Sequence, residues 1–147
     1  DLKLAFRLID EAAIAGADAI KFQTYKAERL TVKAAGGYGN IGTKSQYDYY
    51  KQFDQFDRAE YEAMFEYAAE QSIIAFSTPF DPASAQMLMS VHAPVFKIAS
   101  CDILYADLLR EVACFKVPII VSTGGATPDE VETCLEILDK AGCQRRR

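Results

Sequence analysis

Near the start of the chain the apolar positions Ala5, Leu8, Ile9 and Ala12 recur at helical spacing, and Gly16 follows as a stop. The next segment, AIKFQT at 19–24, reads as a strand. Residues 31–45 carry four glycines and no clean period, so they read as a long loop, and SQYDYYKQF after it as a short helix. Asp57 and Glu60 make a D-x-x-E capping pattern ahead of Tyr61, Met64, Phe65, Ala68 and Ala69, the apolar face of a helix.

From there the rhythm is regular. SIIAFSTPF is a strand, and Asp81-Pro82 supplies the cap and first turn of a helix. APVFKIAS is a strand, ILYADLLREVACF a helix and VPIIVSTG a strand. TPDE is a capping box with proline at the first helical position, opening the helix VETCLEILDKAG. Strands recur about every 22 residues, the spacing of strand-loop-helix units. A helix followed by four such units predicts an α/β fold with a parallel sheet covered by helices. Two architectures satisfy this pattern: an open doubly wound sheet, or part of an eight-stranded barrel. No G-x-G-x-x-G follows the first strand, which disfavours a dinucleotide-binding sheet, and four strands cannot close a barrel.

Polar residues interrupt the strands at one end only. Lys21, Gln23 and Thr24 close the first, Ser77 and Thr78 the second, Lys97, Ser100 and Asp102 the third, and Ser122, Thr123 and Gly124 the fourth. In both architectures the carboxyl edge of the sheet is where ligands bind. A single strand lysine usually snorkels to solvent, and two in apolar strands are harder to explain that way. Two lysines in one cavity repel unless an anion joins them. Together with the hydroxyls they predict a site for a small, highly charged anion such as a phosphorylated carboxylate. A desolvated lysine forming a Schiff base is the second chemistry this set allows. Thr78-Pro79 and Ser122-Thr123-Gly124 are also plain turn chemistry, and Asp102 is also a candidate cap for a helix beginning near Ile103. The glycines at 36–42 lack the G-x-x-x-x-G-K-[ST] pattern and read as a crossover, not a phosphate cradle.

Charge and composition narrow the classes. The net charge is −5, and the one dense basic run is the terminal RRR, so nucleic acid is not an expected partner. No apolar run is long enough to span a membrane. Cys101, Cys114, Cys134 and Cys143 form no C-x-x-C or regular framework, and are expected to be reduced thiols of a cytoplasmic protein. His92, the one histidine, has no metal-ligand spacing and is expected in a surface loop. The chain opens inside a helical pattern with no lead-in, as expected of a fragment.

Four stretches, GADAIKFQTYKAERL, FSTPFD, FKIASCD and PIIVSTGGAT, occur in an order and spacing that resembles the sialic acid synthase family, which makes N-acetylneuraminic, legionaminic and pseudaminic acids and includes spore-coat polysaccharide proteins. The resemblance implies a partial (β/α)8 barrel, with strands two to five of eight as one domain over residues 1–147. It implies condensation of phosphoenolpyruvate with an N-acetylated hexosamine-type sugar, aided by manganese or magnesium. By the same resemblance Lys21 and Thr78 hold the carboxylate of phosphoenolpyruvate, and Lys97, Ser100 and Ser122 its phosphate. Gln23 stands near the metal and sugar. Asp102, where some members carry glutamate, orients the sugar or manages protons. The family's first strand, its last three strands with two metal-binding histidines, and its antifreeze-like domain have no counterpart here. The metal ligands are therefore expected outside this chain, the fragment is expected to be inactive alone, and the full-length protein is expected to be a homodimer. Two alternatives stand beside this one: another phosphoenolpyruvate-using or Schiff-base aldolase barrel, and a non-catalytic anion-binding or assembly module.

Overall fold

The computed structural model describes residues 1–37 and 45–143. Its helices and strands run α1 (Leu2–Ile14), β1 (Ala19–Thr24), α2 (Ala27–Leu30), α3 (Gln46–Lys51), α4 (Arg58–Glu70), β2 (Ile74–Pro79), α5 (Pro82–Ser90), β3 (Phe96–Ile98), α6 (Ala106–Cys114), β4 (Ile119–Val121) and α7 (Pro128–Lys140). The central part of the 31–45 loop and the RRR tail lie outside the described residues. Gly36 and Ser45, on either side of that part, form an antiparallel bridge.

The capping chemistry places the helix starts. Asp57 and Glu60 form a capping box on α4, as do Thr127 and Glu130 on α7. Asp81 accepts from the Ser84 N–H ahead of Pro82, the first residue of α5. Gly16 adopts φ +78° directly after the end of α1, the left-handed turn glycine permits. Two segments depart from the expected pattern. The helix expected from Ile103 begins at Ala106, with Tyr105 as its N-cap, and a 3₁₀ turn occupies Ser100–Asp102. Asp102 therefore does not cap that helix. On the first helix Leu8 is half exposed, and on α4 Ala69 is exposed, so the buried stripes are narrower than the apolar patterns.

The four strands are parallel and lie in the order β1-β2-β3-β4. A doubly wound sheet reverses its strand order at a switch point, and this one does not. Helices α1, α4, α5, α6 and α7 each contact the next, making one layer behind the sheet. Sequential parallel strands under one helix layer form an arc of a (β/α) barrel. The core lies between the two layers, where Ile9, Met64, Leu88, Phe96, Ile98, Leu108, Leu109, Val112 and Cys134 are completely buried. The opposite face is open: Ile74 and Ile120 are 51% and 48% exposed. Alternation along each strand decides which residues meet which face.

Candidate functional site

On β1 the exposed positions are Ala19, Lys21 and Gln23, and the more buried ones are Ile20, Phe22 and Thr24. Register then sorts the second strand. Lys21 pairs with Phe76 and Gln23 with Thr78, so by alternation these four lie on the face opposite the helices, where Lys21 and Gln23 are exposed and Thr78 is only 3% exposed. The Ser77–Phe96 pair belongs to the helix side, which puts Lys97 beside Thr78 on the open face. Lys97 in turn pairs with Ile120. Lys21, Gln23, Thr78 and Lys97 thus converge from three strands at one edge.

The two lysines feel each other. Burial pushes the Lys97 amine below the ordinary lysine value, and the charge of Lys21 pushes it further. The Lys97 ammonium donates to the Ile98 carbonyl at 2.6 Å. That carbonyl also takes the Ser122 N–H at 3.1 Å, which ties Lys97 to the end of β4. Ser100 faces Gly124: a Cβ built on that glycine would come within 3.6 Å of the Ser100 Oγ. Between them a cleft of about 340 Å³ is lined by Ser100, Cys101, Ile103, Leu104, Gly124, Gly125, Ala126 and Glu130. A larger groove of about 380 Å³ lies beside the C-terminal ends of α1 and α4, at the far edge of the sheet, and contains none of the expected site residues.

Burial raises the Asp102 carboxyl above the usual carboxylate value, opposed by a contact from the Cys101 thiol, whose Sγ lies 3.6 Å from Oδ2. Burial and that carboxylate together raise the thiol. The 3₁₀ turn, closed by the Asp102 N–H on the Ala99 carbonyl, holds Ser100 and Asp102 just beyond β3.

Two residues expected among the polar strand ends turn away. Thr24 and Ser77 are buried on the helix side and bond each other, Oγ1 to Oγ, at 2.7 Å. Alternation separates Lys21 and Gln23 from Thr24. Sequence reading also missed the polar frame around these tips. The buried Asp54 accepts the Ala27 N–H at 2.8 Å, and Lys26 spreads its ammonium over the carbonyls of Asp54 and Phe56 and the Asp57 carboxylate. Arg29 donates to Asp81 at 2.8 Å, joining α2, which follows β1, to the turn after β2. The signal for this frame was the clustering of aspartates at helix starts, which propensity alone explains as caps.

Among the described residues no group of three or more His, Cys, Asp or Glu side chains is placed to hold a metal ion. The strand tips offer ammonium groups and hydroxyls, a donor set that suits anions and not a divalent cation. All four cysteines are free thiols, and His92 is exposed in its loop at φ +59°. No helix among the described residues is long and apolar enough to cross a membrane.

An arc of parallel strands under one helix layer, with lysines and hydroxyls gathered at the carboxyl edge, defines a barrel-type α/β domain. The chain belongs to the NeuB family, whose model matches residues 8–146. It is 34% identical over 150 residues to N,N'-diacetyllegionaminic acid synthase of Campylobacter jejuni, covering 99% of this chain and 45% of that one. It is 39% identical over 135 residues to the spore coat polysaccharide biosynthesis protein SpsE of Bacillus subtilis, covering 88% of this chain and 35% of the relative. The crystal structure of N-acetylneuraminic acid synthetase from Leptospira borgpetersenii, in complex with citrate, superposes with a TM-score of 0.80 at 35% identity, covering 96% of this chain and 46% of that one. The chain therefore spans less than half the length of these relatives.

Proposed function

We propose that this chain supplies the phosphoenolpyruvate-binding part of a synthase that condenses phosphoenolpyruvate with an N-acetylated hexosamine-type sugar to give a nonulosonic acid. The observation that carries the reading is the convergence of Lys21 and Lys97 on one sheet face, close enough for Lys21 to depress the Lys97 amine. Two cations held together with hydroxyls favour a ligand bearing more than one negative charge. Family membership supports the choice of phosphoenolpyruvate. So does the Leptospira relative's complex with citrate, a polycarboxylate.

In this reading Lys21 and Thr78 hold the carboxylate, while Lys97, Ser100 and Ser122 hold the phosphate. Gly124 leaves the backbone bare beside Ser100, where a phosphate oxygen can approach. The vinyl carbon of phosphoenolpyruvate bonds to the sugar's carbonyl carbon, and the sugar oxygen takes a proton. Water adds to the resulting cationic carbon and loses one proton, and the tetrahedral intermediate collapses to a ketone as its hydroxyl loses the second proton and phosphate leaves with the C–O bond electrons. Asp102, whose carboxyl burial raises above the usual carboxylate value, is the group proposed to manage the proton on the sugar oxygen, and Gln23 orients the sugar. A divalent metal, manganese or magnesium, belongs to the proposal for the whole protein, with ligands outside this chain, as does its homodimer. We expect no turnover by this chain alone.

The test is calorimetric titration of phosphoenolpyruvate into the purified chain and its Lys97→Ala variant. Binding that the substitution weakens at least tenfold supports the reading, and equal binding by both proteins contradicts it. The lowered Lys97 amine also favours a second chemistry, a Schiff base with a carbonyl substrate. Borohydride trapping of pyruvate on Lys97 or Lys21 would support that alternative, and an untrapped, unmodified chain would exclude it.

A further inference from the structure

Behind the site, on the helix side of the sheet, lies a small set of hydroxyls that the proposed chemistry does not use. Tyr61 of α4 is 5% exposed, and its phenol donates to the Gln23 carbonyl at 2.8 Å. Thr24 and Ser77 are 3% and 0% exposed and bond each other across β1 and β2. The Thr24 carbonyl accepts the Phe80 N–H at 3.1 Å, just past the end of β2. Pro79 intervenes and has no N–H to give. Three side-chain oxygens thus bind the last residues of both strands at the point where Gln23 and Thr78 turn to the open face.

A buried hydroxyl costs free energy unless it is bonded, so three together at one place need a reason. Ordinary core packing would be served by apolar side chains of the same shape. Burial pushes the Tyr61 phenol up to about 12, against a pull from Thr24, so it remains a donor throughout the physiological range.

We propose that Tyr61, Thr24 and Ser77 form a positioning bracket that fixes the tips of β1 and β2 relative to one another, and thereby sets Gln23 and Thr78 for ligand. The part of this that concerns the ligand rests on the phosphoenolpyruvate reading. None of the three touches ligand in that reading. They act through the strand ends, so their removal should disturb the carboxylate end of the site and spare the phosphate end on β3 and β4.

Two substitutions test the bracket. Tyr61→Phe removes one oxygen and keeps the ring, and Thr24→Val keeps the shape and loses the hydroxyl. Thr24→Ser keeps the hydroxyl and serves as rescue if the valine variant folds poorly. Amide hydrogen exchange on the purified chain is the first readout. In Tyr61→Phe and Thr24→Val the Phe80 amide and the last β1–β2 ladder amides should exchange at least tenfold faster, with α6 unchanged, and Thr24→Ser should behave as wild type. Ligand affinity is the second. Phosphoenolpyruvate should bind three- to tenfold more weakly to the first two variants, while inorganic phosphate binds as before. Unchanged exchange at the strand tips, or a uniform increase over the whole chain, would overturn the bracket. Faster local exchange with undiminished phosphoenolpyruvate affinity, or an equal loss for inorganic phosphate, would overturn its role at the site. If the wild-type chain binds no phosphoenolpyruvate yet the local exchange pattern appears, the ligand reading fails and the bracket stands.

Discussion

A strand lysine with a lowered pKa makes a definite pH prediction. Lys97 holds its proton less firmly than an ordinary lysine with its value of 10.5, first because it is buried and then because of Lys21. Anion affinity should therefore decline as pH rises through that lowered value, before an ordinary lysine would discharge. A bound phosphate favours the charged form, so binding in this interval should take up a proton. Calorimetry in two buffers of different ionisation enthalpy measures it, and the uptake should vanish in Lys97→Met. The sign for stability is the reverse of the usual lysine case. Between the lowered value and 10.5 the unfolded chain binds more protons than the folded one, so stability rises as pH climbs through that window. Asp102 has its carboxyl raised from 3.8 by burial. There the folded state holds its proton longer, so stability falls as pH rises through the raised value, and the deficit persists at neutrality. Asp102→Asn should thus raise the melting temperature at pH 7, seen by scanning calorimetry, while impairing any proton-handling role. At this scale the sequence was informative wherever alternation decides. Lys21 and Gln23 share a face because they are two apart. It was silent on Thr24 and Ser77, whose hydroxyls turned out to serve each other, because that bond spans 53 positions in the chain.

At the scale of elements, helices announced by caps are where the sequence put them. Asp81 shows why such a cap is more than local. It accepts the Ser84 N–H, the Ser84 hydroxyl and the Arg29 side chain while nearly buried. Asp81→Ala should cost about 2–4 kcal/mol, more than an exposed cap, because partners are left unbonded as well. Thr127→Ala, at an exposed cap, should cost about 1 kcal/mol. Urea denaturation of both variants would check the difference. The elements that sequence reading missed lack this signature. Lys26, ahead of α2, makes no side-chain cap, and that four-residue helix is held instead by Asp54 from the far end of the same excursion. The 3₁₀ turn at Ser100–Asp102 displaced the expected helix start because Asp102 continues a tight turn and Tyr105 begins the α-helix.

For the whole molecule, the repeating units fixed the fold class, but the choice between an open sheet and a barrel depends on strand order, which no local pattern encodes. The order β1-β2-β3-β4 under a single helix layer decides it. The same geometry leaves one sheet face uncovered, with Ile74 at the start of β2 and Ile120 beside Lys97 about half exposed. Parallel sheets are normally covered on both faces. The purified chain should accordingly bind an apolar fluorescent dye such as ANS while folded, and Ile120→Lys should weaken that signal without lowering helix content by circular dichroism. Equal dye binding by the variant would show that the open face is not its source.

In the proposed site one anion bridges the two lysines with a fixed orientation. A crystal structure of the chain with phosphoenolpyruvate tests it most directly. The carboxylate is expected on Lys21 and Thr78, and the phosphate on Lys97, Ser100 and Ser122. Density at the groove beside α1 and α4, or a ligand on the open face touching neither lysine, would contradict it.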